Sequence, residues 1–262
     1  LSDFLDAMRR RSLERADGAE GSRPALERMA AVVPEPRRPA LGQFGLIAEI
    51  KRVSPAAGVL PDSLDPDDRA RRYAEGGAVA LSVLTEDSKF GGSLDDLSRV
   101  AAAVELPVMR KDFLVDPIQL LEARARGASG VLLIAEILDE PMLDRMLDVA
   151  AGLGLWVLLE SFSVGQLRRV MPRCDGEMVL CGVNCRDLRD LSIDLKRFDA
   201  VAPILAGQVW VAESGMNAPS DVARVARIGC RLALCGTALM RAADPESTVR
   251  EFTERGRGEQ CG

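Results

Sequence analysis

LIAEIKRVSP, residues 46–55, is a short apolar run that closes on two charges of opposite sign. Glu49 and Lys51 stand two apart, so on a strand both side chains leave the same face. Seven more apolar runs end alike, in small polar or charged clusters. They read SVLTED (82–87), VMRKDF (108–113), LLIAEI (132–137), VLLESF (157–162), CGVNCRDL (181–188), VAESG (211–215) and LCGTALM (234–240). Helical stretches of roughly a dozen residues lie between them. Strand–helix alternation repeated eight times predicts an α/β fold, a (β/α)8 TIM barrel, with its chemistry at the carboxyl ends of the strands. The eight clusters are therefore expected to converge on one pocket.

The predicted strands are 46–51, 78–84, 106–111, 130–135, 156–160, 178–184, 208–213 and 232–235, mostly continuous apolar runs, as strands buried on both faces require. The predicted helices are 66–76, 93–104, 116–127, 139–152, 163–171, 196–203, 218–228 and 244–254. Ser93, Asp116 before Pro117, and Asn217 ahead of Pro219 mark helix starts. Residues 1–43 differ. A helical apolar pattern (Leu1, Phe4, Leu5, Met8) precedes a Gly/Ser/Pro break, a second helical stretch and the Pro-rich link PEPRRPALG. The expected organisation is an N-terminal helical extension and linker over 1–43 and a barrel over 44–262. The Arg9–Arg11 run reads as a solvated helix face.

A chain of 262 residues suits one large barrel. Its net charge of −6 argues against nucleic acid as a partner. No apolar stretch nears the roughly 18 residues that span a bilayer, and no signal-peptide pattern opens the sequence, so neither membrane nor export is expected. The six cysteines include no CxxC pair and no metal-type spacing; they read as reduced thiols of a cytoplasmic protein.

Histidine is absent altogether, which excludes Ser-His-Asp triads, Cys-His dyads and histidine metal sites. Acid–base work falls to Glu, Asp, Lys, Tyr or Cys. Only Lys51, Lys89, Lys111 and Lys196 are lysines, against thirty arginines, and two of the four stand at strand ends. Lysine, unlike arginine, can be tuned to release a proton. Lys51, Lys111, Glu49 and Glu160 thus form the candidate acid–base set, a structural ion-pair network being the alternative. Asn184 and Arg186 end the sixth strand, where Asn can orient a hydroxyl and Arg can fork onto a carboxylate or pair with Asp187 or Asp190. Cys185 has the opposite parity to Asn184 and reads as packing. Phe90, before Gly91-Gly92, covers an aromatic substrate or anchors a turn. ESG (213–215) and CGTALM (235–240) follow the seventh and eighth strands, where barrels commonly bind phosphate. Gly215, Gly236, Thr237 and Ser214 are candidates there, with Ser54 from the first loop.

On AEIKRVSP, SVLTEDSKFGGS, PVMRKDF, QLLEARARGA, VLLIAEIL, VLLES, GVNCRDL, VAESGM and CGTALMR, in that order over roughly 44–242, the chain resembles the indole-3-glycerol phosphate synthase family of tryptophan biosynthesis. The resemblance implies decarboxylating, dehydrating ring closure of 1-(2-carboxyphenylamino)-1-deoxyribulose 5-phosphate, a carboxy-lyase reaction without metal or organic cofactor. It further implies Lys111 as general acid, Lys51 as a second cation, and Glu160 as the dehydration acid–base group supported by Glu49 and Asn184. Phe90, Arg186, Glu213 and Ser214 fall at substrate contacts, and Ser54, Gly215, Gly236 and Thr237 at the phosphate. The expected partner is one phosphorylated small molecule, the expected state a monomer or weak homo-oligomer. Three departures from the family pattern stand out: Ser161-Phe162 for the usual Val-His, SPAAG in the first loop where a second serine is common, and Cys185 for Asn. They leave a specialised paralogue acting on a substituted anthranilate as the alternative. A non-catalytic ligand-binding barrel is the other, against which the intact lysines and Glu160 argue.

Overall fold

Eight strands alternate with helices as the apolar periodicity requires. The computed structural model describes residues 3–54, 58–60, 64–187 and 192–260. The barrel strands are Gly45–Ile50, Ala80–Leu84, Val108–Lys111, Gly130–Ile134, Trp156–Ser161, Val179–Asn184, Trp210–Glu213 and Leu232–Cys235, numbered one to eight below. Each pairs in parallel with its neighbour, and strand one also pairs with strand eight, closing the sheet. Closure leaves no free edge and buries every strand on both faces.

Register decides what points inward. At the upper end of the interior, strands one, three, five and seven present Glu49, Lys111, Glu160 and Glu213, while the even strands present Leu84, Ile134, Asn184 and Leu234. Layers drawn from alternate strands are the geometry of an eight-stranded barrel. The charged layer therefore comes wholly from odd strands. Lower down the filling is apolar. Trp156 is fully buried, and a Cβ at Gly130 would stand 2.3 Å from its ring, so that position must be glycine.

The eight expected helices are present, from Pro66–Glu75 through Pro245–Gln260. Ser93 accepts the Asp96 N–H at 3.0 Å and Asp116 accepts that of Ile118 at 2.9 Å, as caps should. At the seventh helix, Pro219–Arg227, the cap differs from expectation. Asp221 reaches back to accept the Asn217 and Ala218 N–H groups, each at 2.9 Å, and Asn217 does not cap. A four-residue helix, Asp87–Phe90, was not expected; the Glu86 carboxylate nucleates it by accepting the N–H groups of Ser88, Lys89 and Phe90. The short helix Thr237–Arg241 follows strand eight.

Helices Asp3–Glu20 and Arg23–Ala30 form the extension. Leu5 and Met8 enter the main core, and Ala16 and Leu26 pack on Ile118, Leu121 and Ala125. Arg10 and Arg11 are exposed, pairing with Asp6 and Asp87. The linker then descends to the base of the barrel, where the Arg37 N–H donates to Ser129 Oγ and Arg124 donates to the Val33 carbonyl. One sequence expectation is corrected here: Cys174 and Cys181 form a disulfide rather than two thiols. Asp175 accepts the N–H groups of Glu177, Met178 and Val179, folding the turn so that Cys174 returns beside strand six. Cys185, Cys230 and Cys235 are free and buried, and Cys261 lies outside the described residues. No helix among the described residues is long and apolar enough to cross a membrane.

Candidate active site

The cavity at the carboxyl end of the barrel encloses about 990 Å³ counted out to open solvent. Every residue singled out for chemistry lines it: Glu49, Lys51, Ser54, Phe90, Lys111, Glu160, Asn184, Arg186, Glu213, Ser214, Gly215, Gly236 and Thr237. Strand parity placed Glu49, Lys111, Glu160, Asn184 and Glu213, and the segments that follow the strands carry the rest. Asp190, the alternative partner of Arg186, lies outside the described residues.

Glu49 Oε1 meets Lys51 Nζ at 2.6 Å. Burial pushes the Glu49 carboxyl up, but Lys51 and Lys111 outweigh it and hold its pKa below the ordinary range. At Lys111 burial disfavours the ammonium; the charges of Glu160 and Glu49 prevail and raise its pKa above the usual lysine value. The carboxylates thus win the contest that the sequence left open, and Lys111 rests fully protonated. Asn184 Nδ2 donates to Glu160 Oε2 at 3.2 Å, while Asn184 Oδ1 accepts the Arg186 N–H at 2.9 Å. One amide therefore orients Glu160 and shapes the turn that carries Arg186. Glu213 is nearly inaccessible, and burial followed by the Glu160 charge raises its pKa well above the carboxylate range.

Around the strand-two, -three and -four side the wall is apolar. Phe4, Phe90 and Phe113 face the cavity with Leu84, Leu132 and Ile134. The Phe4 and Phe113 rings meet edge-on at 5.9 Å, and Phe90 tilts against Phe113 at 6.2 Å. Strands seven and eight, across the barrel, bring backbone turns instead. Ser214 has φ 66° and Gly215 φ 78°, consecutive left-handed residues in a tight turn that lines the cavity. The two glycines have a second reason. A Cβ at Gly236 would lie 2.1 Å from Glu49 Oε1 and 2.9 Å from Lys51 Nζ, and one at Gly215 would meet Leu195 at 2.5 Å and Cys185 Sγ at 3.1 Å. A side chain at either position would therefore displace the protein's own groups, Glu49 and Lys51 at 236 and Leu195 at 215.

A buried polar hub stands behind Lys111. Asp112 accepts from Arg15 at 3.0 and 2.7 Å, from Thr85 at 2.7 Å, from Arg110 at 3.1 Å and from the Phe113 N–H at 2.8 Å. Arg110 also donates to Glu122 and to the Gln119 carbonyl. Ser12 donates to the Phe113 carbonyl and accepts from Gln119. The extension is thereby tied to the segment that carries Lys111 and Phe113. Sequence reading missed Phe4, Phe113, Arg15 and Asp112 as site components. Phe4 had a helical pattern that assigned it to packing, and no local signal shows a helix docking across a barrel mouth. Two of the three departures from the family pattern lie off the cavity: Ser161 donates to the Gly182 carbonyl at 3.0 Å, Phe162 packs on the core, and Cys185 is buried, its thiol pushed up to about 12 by desolvation. SPAAG falls largely outside the described residues. No group of three Cys, Asp or Glu among the described residues is placed to hold a metal ion.

The family model described as "Indole-3-glycerol phosphate synthase" matches residues 14–252. A protein of that name from Nocardioides sp. is 44% identical over 259 residues, covering 97% of each chain. One from Mycobacterium leprae is 41% identical over 252 residues, covering 95% of this chain and 89% of its own. Among solved structures, a 3-hexulose-6-phosphate synthase from Salmonella typhimurium superposes with TM-score 0.65 at 11% identity, covering 82% of this chain and 100% of its own. A thiamine phosphate pyrophosphorylase from Pyrococcus furiosus does so with TM-score 0.60 at 15%, covering 82% and 96%. At such identities the two structures share the barrel fold alone.

Proposed function

Because the chain belongs to the indole-3-glycerol phosphate synthase family, we propose that its cavity carries out that family's ring closure with the following residue roles. The chain is a carboxy-lyase: 1-(2-carboxyphenylamino)-1-deoxyribulose 5-phosphate becomes indole-3-glycerol phosphate, carbon dioxide and water. The aryl ring sits against Phe4, Phe90 and Phe113. Ser54, Gly215, Gly236 and Thr237 take the phosphate, where backbone N–H groups suit an anion. Arg186 and Ser214 contact the polar chain and carboxylate. Anchored at both ends, the substrate bends so that the ring carbon bearing the carboxylate approaches the ketone carbon.

Lys111 then gives a proton to the ketone oxygen as the new carbon–carbon bond forms, and loss of carbon dioxide restores the aromatic ring. Lys51, held by Glu49, supports negative charge on the sugar oxygens. Glu160, oriented by Asn184, moves the protons of dehydration: the hydroxyl leaves as water and the neighbouring carbon loses its hydrogen. The observation that carries the proposal is the charged layer on odd strands, set between an aromatic wall and left-handed turns. Since two of the three departures from the family pattern, Ser161-Phe162 and Cys185, do not line the cavity, an unsubstituted ring is favoured over a substituted one. A monomer or weak homo-oligomer in a cytoplasmic setting completes the proposal. The test is turnover of the carboxyphenylamino sugar phosphate, followed by indole absorbance with carbon dioxide measured in parallel. A pure, folded protein that released neither product would overturn it.

A further inference from the structure

Three carboxyls and two lysines share the top of this barrel, and one carboxyl is placed unlike the others. Glu49 has Lys51 at 2.6 Å and Glu160 has the Asn184 amide at 3.2 Å. Glu213 is 1% exposed, and neither of its oxygens receives a hydrogen bond from any donor among the described residues. An anionic carboxylate so enclosed would forgo its solvation with nothing in return. Its setting shows where it turns instead. Asn184 pairs with Glu213 across strands six and seven, and Glu160 pairs with Gly182 across strands five and six. A Cβ at Gly182 would lie 2.5 Å from Glu213 Oε1 and 3.4 Å from the Glu160 backbone. The missing side chain at 182 is the gap through which Glu213 reaches Glu160.

We propose that Glu213 keeps its proton in the resting enzyme and donates it as an O–H···O hydrogen bond to Glu160, so that the pair carries a single negative charge. Glu213 is then a positioning residue for Glu160, which stays the basic member. Two facing carboxyls cannot both ionise cheaply, and the less solvated one retains the proton. The groups facing Glu213 agree: the charges of Glu160 and Glu49 favour the acid form, burial favours it more, and Lys111 opposes them without prevailing. Charge bookkeeping gives the arrangement a purpose. With Glu213 neutral, Glu49 and the pair contribute two negative charges, balanced by Lys51 and Lys111. An ionised Glu213 would tip that balance to negative in a pocket that must accept a phosphate and a carboxylate.

This inference rests on the roles proposed above, but its main test needs no substrate. Infrared difference spectra of resting enzyme carrying carbon-13 glutamate should show a protonated carboxyl band at neutral pH that Glu213→Gln removes. Absence of the band, or its survival in that variant, overturns the inference whatever the reaction proves to be. The kinetic arm uses shape. Glutamine at 213 keeps a neutral donor toward Glu160, so kcat should fall less than tenfold, against a hundredfold or more for Glu160→Gln and at least thirtyfold for Glu213→Ala. Equal losses in Glu213→Gln and Glu213→Ala would make the donor irrelevant and refute the positioning role. If no variant and no wild-type protein turned over the sugar phosphate while the band behaved as expected, the reaction assignment alone would fail.

Discussion

Replacing Gly236 by alanine should damage the enzyme through the Glu49–Lys51 pair. The added Cβ would stand 2.1 Å from Glu49 Oε1. Ordinary contact needs about 3.5 Å, so the carboxylate must retreat by more than about 1 Å. It is 4% exposed, and Lys51 Nζ would also be only 2.9 Å from the new methyl. Opening the 2.6 Å pair by about 1 Å lowers its attraction from roughly 6.4 to roughly 4.6 kcal/mol at an effective dielectric of about 20. A loss of about 2 kcal/mol corresponds to roughly thirtyfold in kcat/KM if the pair holds Lys51 in its working position. The pH profile carries a second signature. Glu49 has its pKa depressed by Lys51 and Lys111 against burial, so its charged form, and the pair, persist until pH falls through that low value. With Lys51 displaced and burial unchanged, the pKa rises and the acid limb moves to higher pH. The assay is steady-state kinetics across pH on folded Gly236→Ala, with inorganic phosphate binding measured by calorimetry. A kcat/KM within threefold of wild type and an unmoved acid limb would refute the argument. Weakened phosphate binding with an unmoved limb would assign Gly236 to the anion alone.

Lys111→Arg should lose at least a hundredfold in kcat with substrate binding within a few-fold, because arginine keeps the charge but does not release a proton; near-normal kcat in stopped assays would make Lys111 an electrostatic clamp. Phe4→Ala should raise KM about fivefold to tenfold with kcat within twofold, since an aromatic contact worth about 1 kcal/mol holds ground and transition states alike; a kcat loss with unchanged KM would contradict this. Arg15→Ala should cost about 2 kcal/mol in urea unfolding near neutrality: breaking a buried pair costs about 3–5 kcal/mol, reduced here because Arg15 is partly exposed and Arg110 and Thr85 remain on Asp112. Burial raises the Asp112 carboxyl, yet Arg110 and Arg15 hold its pKa low, so this stabilisation is present above the unfolded-chain value and lost as pH falls through the folded one. The gap between variant and wild type should therefore narrow in acid, and a constant gap would count against the pair.

Much of the site was legible because strand parity is a local property. Glu49 with Lys51, and Lys111, Glu160 and Asn184 at strand ends, needed only period-two alternation and the rule that barrel chemistry lies at carboxyl ends. The helix Asp87–Phe90 was not legible. Four residues carry no period, and their cap is a Glu86 carboxylate turning forward. Asn217 misled for a related reason: its residue type suits a cap, but Asp221, one turn inside the helix, reaches the free N–H groups first. The Cys174–Cys181 bridge depends on a turn closed by Asp175, which cysteine spacing does not reveal.

The order of apolar runs and their charged endings was by itself sufficient for eight strands, eight helices, one pocket and the charged side chains that line it, because each follows from residues a few positions apart. Tertiary structure alone decided which pair takes up the space at Gly236, which carboxyl faces another through the gap at Gly182, and how a helix from the extension brings Phe4 to the cavity. Those outcomes depend on barrel closure and shear, which set side chains from distant parts of the chain a few ångströms apart. Burial, charge and hydrogen bonding act at that range, and only folding brings the residues within it.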